Sequence, residues 1–135
     1  MSRSILDNVA RNLPPLSIAR ALQAEASRAG FDWPDSRSML AKIREELDEL
    51  SDAIASGDQT GIGDEIGDLL LVIVNVARRE GLEAEQCLTG ACQKFEKRFR
   101  AMEAVLASDG KRLEDQSLDT LDTLWRAAKN TTSAS

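Results

Sequence analysis

Apolar residues in this chain recur at spacings of three and four and hardly ever alternate, with Pro, Gly and Ser/Asp clusters between the runs. Spacings of three and four line up side chains on one face of an α-helix, whereas a half-buried strand needs a period of two. The pattern predicts an all-α fold of about five helices. At 135 residues the chain has enough surface to bury for one compact domain and too little for two.

The punctuation sets the expected boundaries. A first helix follows Pro14-Pro15 and stops at Gly30. Phe31-Asp32-Trp33-Pro34 is a loop, because Pro34 pushes Trp33 out of the helical region; Trp33 there serves as a lid or as a staple between helices. A second helix, capped by Ser36, carries Met39, Leu40, Ile43, Leu47, Leu50 and Ile54 on one stripe and ends at Gly57. The third, from about Ile62 to Arg79, is apolar nearly all the way round from Leu69 to Val74, so it needs cover on several sides, more than a small monomer supplies. A fourth runs from about Glu83 to Ala107. The fifth is capped by Ser117 and uses Leu118, Leu121 and Trp125. Residues 1–12 read as a mobile arm, 13–129 as the domain and 130–135 as a disordered tail.

Composition removes several chemistries. The chain has no His, which excludes Ser/His/Asp and Cys/His triads and every His-ligated metal site. Cys87 and Cys92 match no Cys-x-x-Cys pattern and read as buried thiols in a reducing cytoplasm. No apolar run is long enough to span a bilayer, so no membrane partner is expected. Residues 36–68 hold nine acids against Arg37, Lys42 and Arg44 and so carry the whole net charge of -6. Such a stretch calls for solvent or a bound cation and disfavours a nucleic-acid partner.

The acids are ordered. Glu45, Glu46, Asp48 and Glu49 lie on the second helix, and Glu65 and Asp68 open the third. Glu46 with Glu49, and Glu65 with Asp68, are i, i+3 pairs, whose carboxylates can reach one cation. A short connection makes the two helices antiparallel, and a turn centred on Gly57 sets Glu46 level with Asp68 and Glu49 level with Glu65. The same acids would also suit a solvated helix face. The matched pair embedded in an apolar run favours a metal site, and an all-oxygen, strongly anionic ligand set suits Mg²⁺, with Mn²⁺ as a substitute.

Lys94, Lys97, Arg98 and Arg100 form the clear basic cluster, with Lys94 and Arg98 on one face. Metal on one side and cations on the other is the electrostatic need of a nucleoside triphosphate. Trp125 and Lys129 are again i, i+4; Trp125 can stack on a base or fill the core. Asn75 shares the face of Asp68 and needs a hydrogen-bond partner, such as a ribose hydroxyl.

Glu45-Glu46-x-x-Glu49 followed by Glu65-x-x-Asp68, together with Gly30-Phe31-Asp32-Trp33, Gly67-Asp68-Leu69-Leu70, Val74 to Arg78, Lys94 to Phe99 and the late Trp125 and Lys129, resembles a MazG-type nucleoside triphosphate pyrophosphohydrolase in single-domain form. The similarity runs from about Leu13 to Lys129. It implies the all-α NTP pyrophosphatase type of fold, with a four-helix core built by two chains, as a homodimer or a dimer of dimers. It implies Mg²⁺-dependent hydrolysis of a nucleoside or deoxynucleoside triphosphate to monophosphate and pyrophosphate, as pool clearance or house-cleaning. Glu46, Glu49, Glu65 and Asp68 are then the metal ligands, Lys42, Lys94 and Arg98 contact phosphates, and Trp125 and Lys129 lie near the nucleotide. Glu45 orients the attacking water or supports the ligands. Similar sequences often have a basic residue where this chain has Gly61, and many have Lys at the position of Ala21. Rival readings are a pyrophosphohydrolase for dUTP, dCTP or phosphoribosyl-ATP, or a non-catalytic nucleotide-binding regulator.

Overall fold

The computed structural model describes residues 3–132 and contains helices and no strand among them. The five α-helices are α1 (Pro15–Arg28), α2 (Ser36–Ser56), α3 (Gln59–Arg79), α4 (Ala84–Ser108) and α5 (Leu118–Thr132), with 3-10 turns at Ile5–Asn8 and Leu113–Asp115. The all-α expectation holds. The chain forms two compact units, Met1–Cys87 and Leu88–Ser135.

In the first unit α3 packs against both α2 and α1. Val9, Met39, Leu69, Val74 and Ala84 are its buried apolar residues. The 3-10 turn before α1 is closed by a capping box of Ser4 and Asp7, so the stretch expected as a mobile arm carries ordered structure up to the buried Val9.

The α2–α3 connection is tight for a local reason. Gly57 takes the left-handed conformation at φ 71°, which costs a residue without Cβ nothing. Its turn lets the Asp58 N–H donate to Ala53 O at 3.1 Å, closing α2. The Asp58 side chain then accepts from Gly61 N at 3.1 Å and starts α3. One residue ends one helix and begins the next, so α3 starts at Gln59 rather than near Ile62.

Three local expectations are corrected. The α2 cap is Asp35, whose carboxylate accepts from Ser38 N at 2.8 Å, while Ser36 is the first helical residue and bonds Glu80 instead. The inward side of α2 is Met39, Ile43, Glu46 and Leu50, whereas Leu40, Leu47 and Ile54 are exposed. Cys87 and Cys92 are free and exposed, because the helix period that sets their direction does not tell what covers α4.

In the second unit, α4 ends at the left-handed Gly110 and α5 begins behind Ser117, whose hydroxyl accepts from Thr120 N at 3.2 Å. Phe95 stacks on Phe99 with centroids 6.1 Å apart and meets Trp125 at 5.3 Å. Met102, Leu106 and Ala128 are buried. α5 takes in the start of the expected polar tail, and residues 133–135 lie outside the described residues. No helix among the described residues is long and apolar enough to cross a membrane.

Candidate metal centre

The hairpin gathers three carboxylates. Oxygens of Glu46, Glu49 and Glu65 lie within 4.8 Å of one another. Glu46 comes from the inward side of α2 and is only 5% exposed, Glu49 stands one turn further on at the surface, and half-buried Glu65 reaches them from α3. An acid on an apolar stripe is expensive to bury without a partner. Lys42, one turn before Glu46, supplies part of one: its Nζ lies 2.9 Å from Glu46 Oε1 and 3.6 Å from Glu45 Oε1.

The remaining charge is uncompensated. Hydrogen bonding to Glu46, burial, and the charges of Glu46 and Glu49 together push the Glu65 carboxyl from its ordinary 4.5 up to about 7. Glu46 is held below the usual carboxylate range by that bond from Glu65 and by Lys42. With both groups ionised, Glu46 Oε2 and Glu65 Oε2 are buried acceptors with no donor. A proton between them removes the conflict at low pH, and a cation does so at higher pH. The donor set fits that cation: all oxygen, anionic and partly dehydrated, as a hard divalent ion requires.

Asp68 is exposed and stands outside the group of three. Its side chain is one methylene shorter than Glu65 and starts a turn further along α3. Glu45 is exposed beside Lys42. Asn75 is buried, and its Oδ1 accepts from Arg78 Nε at 2.8 Å. In the second unit the Arg98 guanidinium lies 5.9 Å from the Trp125 ring centre, within cation–π range; Lys94 and Lys129 are exposed. Trp125 is half-buried against Phe95, so its core contact is real and its base-stacking role stays an expectation.

Position 61 has a structural explanation. A Cβ there would come within 2.4 Å of Asp58 Oδ2, so the side chain missing at Gly61 leaves room for the α3 cap.

One cluster escaped the sequence reading. Asp32 accepts from Ser27 Oγ at 2.6 Å, from Trp33 N at 2.8 Å and from Arg78 at 2.7 Å, and Arg79 lies 3.5 Å away. The Ser27 bond and Arg78 hold its carboxyl down at about 2. The available signal was Arg78-Arg79 closing the apolar second half of α3 with no acid one turn behind it.

Residues 35–102 match the family model described as the MazG nucleotide pyrophosphohydrolase domain. The chain belongs to that family. The matched stretch of this MazG domain contains all the acids of the hairpin. The chain is 42% identical over 117 residues to the nucleoside triphosphate pyrophosphohydrolase/pyrophosphatase MazG of Thermotoga maritima, covering 87% of this chain and 45% of that protein. It is 37% identical over 128 residues to the nucleoside triphosphate pyrophosphohydrolase of Escherichia coli K12, covering 93% of this chain and 49% of the relative. A Bacillus subtilis protein described as uncharacterized protein YabN is 39% identical over 129 residues, 95% of this chain and 26% of its own length. The MazG domain thus spans less than half the length of these curated relatives.

Proposed function

We propose that this MazG domain hydrolyses nucleoside or deoxynucleoside triphosphates to the monophosphate and pyrophosphate with Mg²⁺, clearing or adjusting a cytoplasmic nucleotide pool. The observation that carries the reading is the pair of buried, partnerless oxygens of Glu46 and Glu65 beside Lys42. The names of the two pyrophosphohydrolase relatives support the substrate class.

Glu46, Glu49 and Glu65 hold the cation, and Asp68 joins them by turning its exposed side chain inward. Bound there, Mg²⁺ supplies charge neutralisation, polarisation of the phosphate and a lowered water pKa. Glu45 orients the attacking water or bonds the groups that hold the metal, and a carboxylate of the cluster accepts the water's proton. Water oxygen bonds to the α-phosphorus, and the bond to the α–β bridging oxygen breaks, so that oxygen leaves with pyrophosphate. Lys42 turns from Glu46 toward the phosphates, and Lys94 and Arg98 stabilise the leaving charge. Trp125 and Lys129 lie near the nucleotide. No covalent enzyme intermediate is required.

A second copy of the chain completes the assembly, as a homodimer or a dimer of dimers. Ile66, Leu70 and Ile73 are 45%, 49% and 49% exposed on α3, and an apolar face of this kind calls for cover. The free thiols suit a reducing compartment.

The test is phosphorus NMR on a mixed nucleotide panel with Mg²⁺. Pyrophosphate and monophosphate should appear together; orthophosphate as the first product would overturn the reading.

A further inference from the structure

Lys42 reaches the carboxylate cluster from the same helix that carries Glu46. Its Nζ lies 2.9 Å from Glu46 Oε1 and 3.6 Å from Glu45 Oε1, while Glu46 Oε2 is buried with no hydrogen-bond donor. One oxygen of the carboxylate has a cation and the other has no partner. The order of the pair matters as well. Lys at i with Glu at i+4 is the weaker of the two arrangements for supporting a helix, because both charges then sit unfavourably in the helix dipole. Helix stability is a poor account of such a pair at the edge of a buried face.

The two partners differ in freedom. The Glu46 side chain is 7% exposed and the Lys42 side chain 33%. Glu46 is fixed by its surroundings, whereas the ammonium sits on a long flexible stem that reaches the surface and can swing. Glu45, with a side chain 60% exposed, stands on the outer side of that swing and keeps a released ammonium close to the cluster. A divalent ion on the Glu46 carboxylate repels an ammonium on the same group. The member able to give way is Lys42.

Exchange of one cation for the other also avoids an unfavourable state. A buried carboxylate stripped of its cation is strongly destabilising, and here the second oxygen of Glu46 lets an incoming ion engage before the ammonium leaves. Resting on the metal and nucleotide reading above, we propose that Lys42 is an exchangeable counter-ion that holds Glu46 in the metal-free site and passes to the triphosphate once a divalent cation has taken its place. Binding is thereby ordered. Before the cation enters, the ammonium is engaged by Glu46; afterwards it faces the polyanion. By linkage the coupling runs both ways, so an anion that draws Lys42 off Glu46 tightens the hold on the cation.

The test uses the full chain. In ¹H–¹⁵N spectra of the lysine ammonium groups at low temperature, the signal missing from Lys42→Arg is that of Lys42. It should be protected from solvent exchange in the metal-free wild type and lose that protection with Mg²⁺ alone. It should regain protection, at a different shift, when a non-hydrolysable α,β-methylene nucleoside triphosphate follows. Calorimetry adds a readout with opposite signs. Lys42→Met, which keeps most of the stem and removes the charge, should bind Mg²⁺ at least threefold more tightly than the wild type, and the analogue with Mg²⁺ at least tenfold more weakly. Lys42→Arg should recover most of the analogue binding. A side chain that merely supports the helix would lower both affinities or neither, and the wild-type spectra decide the matter if Lys42→Met does not fold. If Mg²⁺ and nucleotide bind and turnover proceeds while the Lys42 signal stays protected and unshifted in every state, or if Lys42→Met binds Mg²⁺ more weakly, the inference is overturned and the proposed function stands. If neither Mg²⁺ nor nucleotide binds, both fall.

Discussion

Glu65 and Glu46 bring carboxylate oxygens within 4.8 Å of each other across the α2–α3 hairpin, and at that separation a proton is favoured on Glu65 that neutral pH tends to remove. The folded chain raises the Glu65 pKa from 4.5 to about 7. A raised carboxyl pKa stabilises the fold below the unfolded value, and this contribution is lost as pH rises through the folded value. The metal-free protein should therefore lose thermal stability between pH 4.5 and about 7, with the lowered Glu46 partly opposing. Added Mg²⁺ replaces the proton, so its stabilising shift in Tm should grow over the same range. Melts in chelator and in Mg²⁺ across that window check both signs.

Glu65→Gln removes the repulsion and keeps the shape. At pH 8 the metal-free variant should melt above the wild type and gain little from Mg²⁺. Asp68→Ala deletes an exposed side chain, so its Tm should barely move, while kcat should fall on the order of 100-fold or more. Differential scanning calorimetry and pyrophosphate release on the same samples separate the two effects.

Asp32 is a stability element. Its carboxyl is lowered from 3.8 to about 2, so its contribution is present above the unfolded value and is lost as pH falls through the folded one. Asp32→Asn should cost on the order of 1.5–3 kcal/mol near neutral pH, the range for hydrogen bonds to charged groups. Its unfolding curve should also be flatter than the wild type between pH 4 and 2, where the native carboxylate takes up its proton. Urea unfolding at several pH values measures both.

Gly61→Lys asks whether the missing cation matters. Replacing a helical Gly gains up to about 1 kcal/mol of propensity, and disturbing the Asp58 cap costs about 0.5–2 kcal/mol. The Asp58 carboxylate is the far end of a side chain and can swing aside. Net stability should therefore stay within about 1 kcal/mol of wild type. KM for a nucleoside triphosphate should fall several-fold; an unchanged KM would show that position 61 does not reach the phosphates.

Periodicity and punctuation were enough to read five helices and the antiparallel acidic hairpin, because Gly57 and the Pro14-Pro15 start act locally. The finer register was not legible. Ser36 and Asp35 are both competent caps, and only the backbone at Asp35 decides between them. Glu46 flanks the apolar stripe in sequence and lies buried in the fold, its cost offset by Lys42 on its own helix and Glu65 on the next. The Asp32–Arg78 pair joins residues far apart in sequence, beyond what a helical period encodes. For Asp68, helix spacing fixed the face of the helix and left the side-chain direction open.

The cation site carries everything else, and isothermal calorimetry with Mg²⁺ and Mn²⁺ at pH 8 measures it most directly. Wild-type protein should release heat with saturable binding, and Glu46→Gln and Glu65→Gln should each lose at least tenfold in affinity while remaining folded. A wild type that gives no heat with either ion, or two variants that bind as the wild type does, would contradict it.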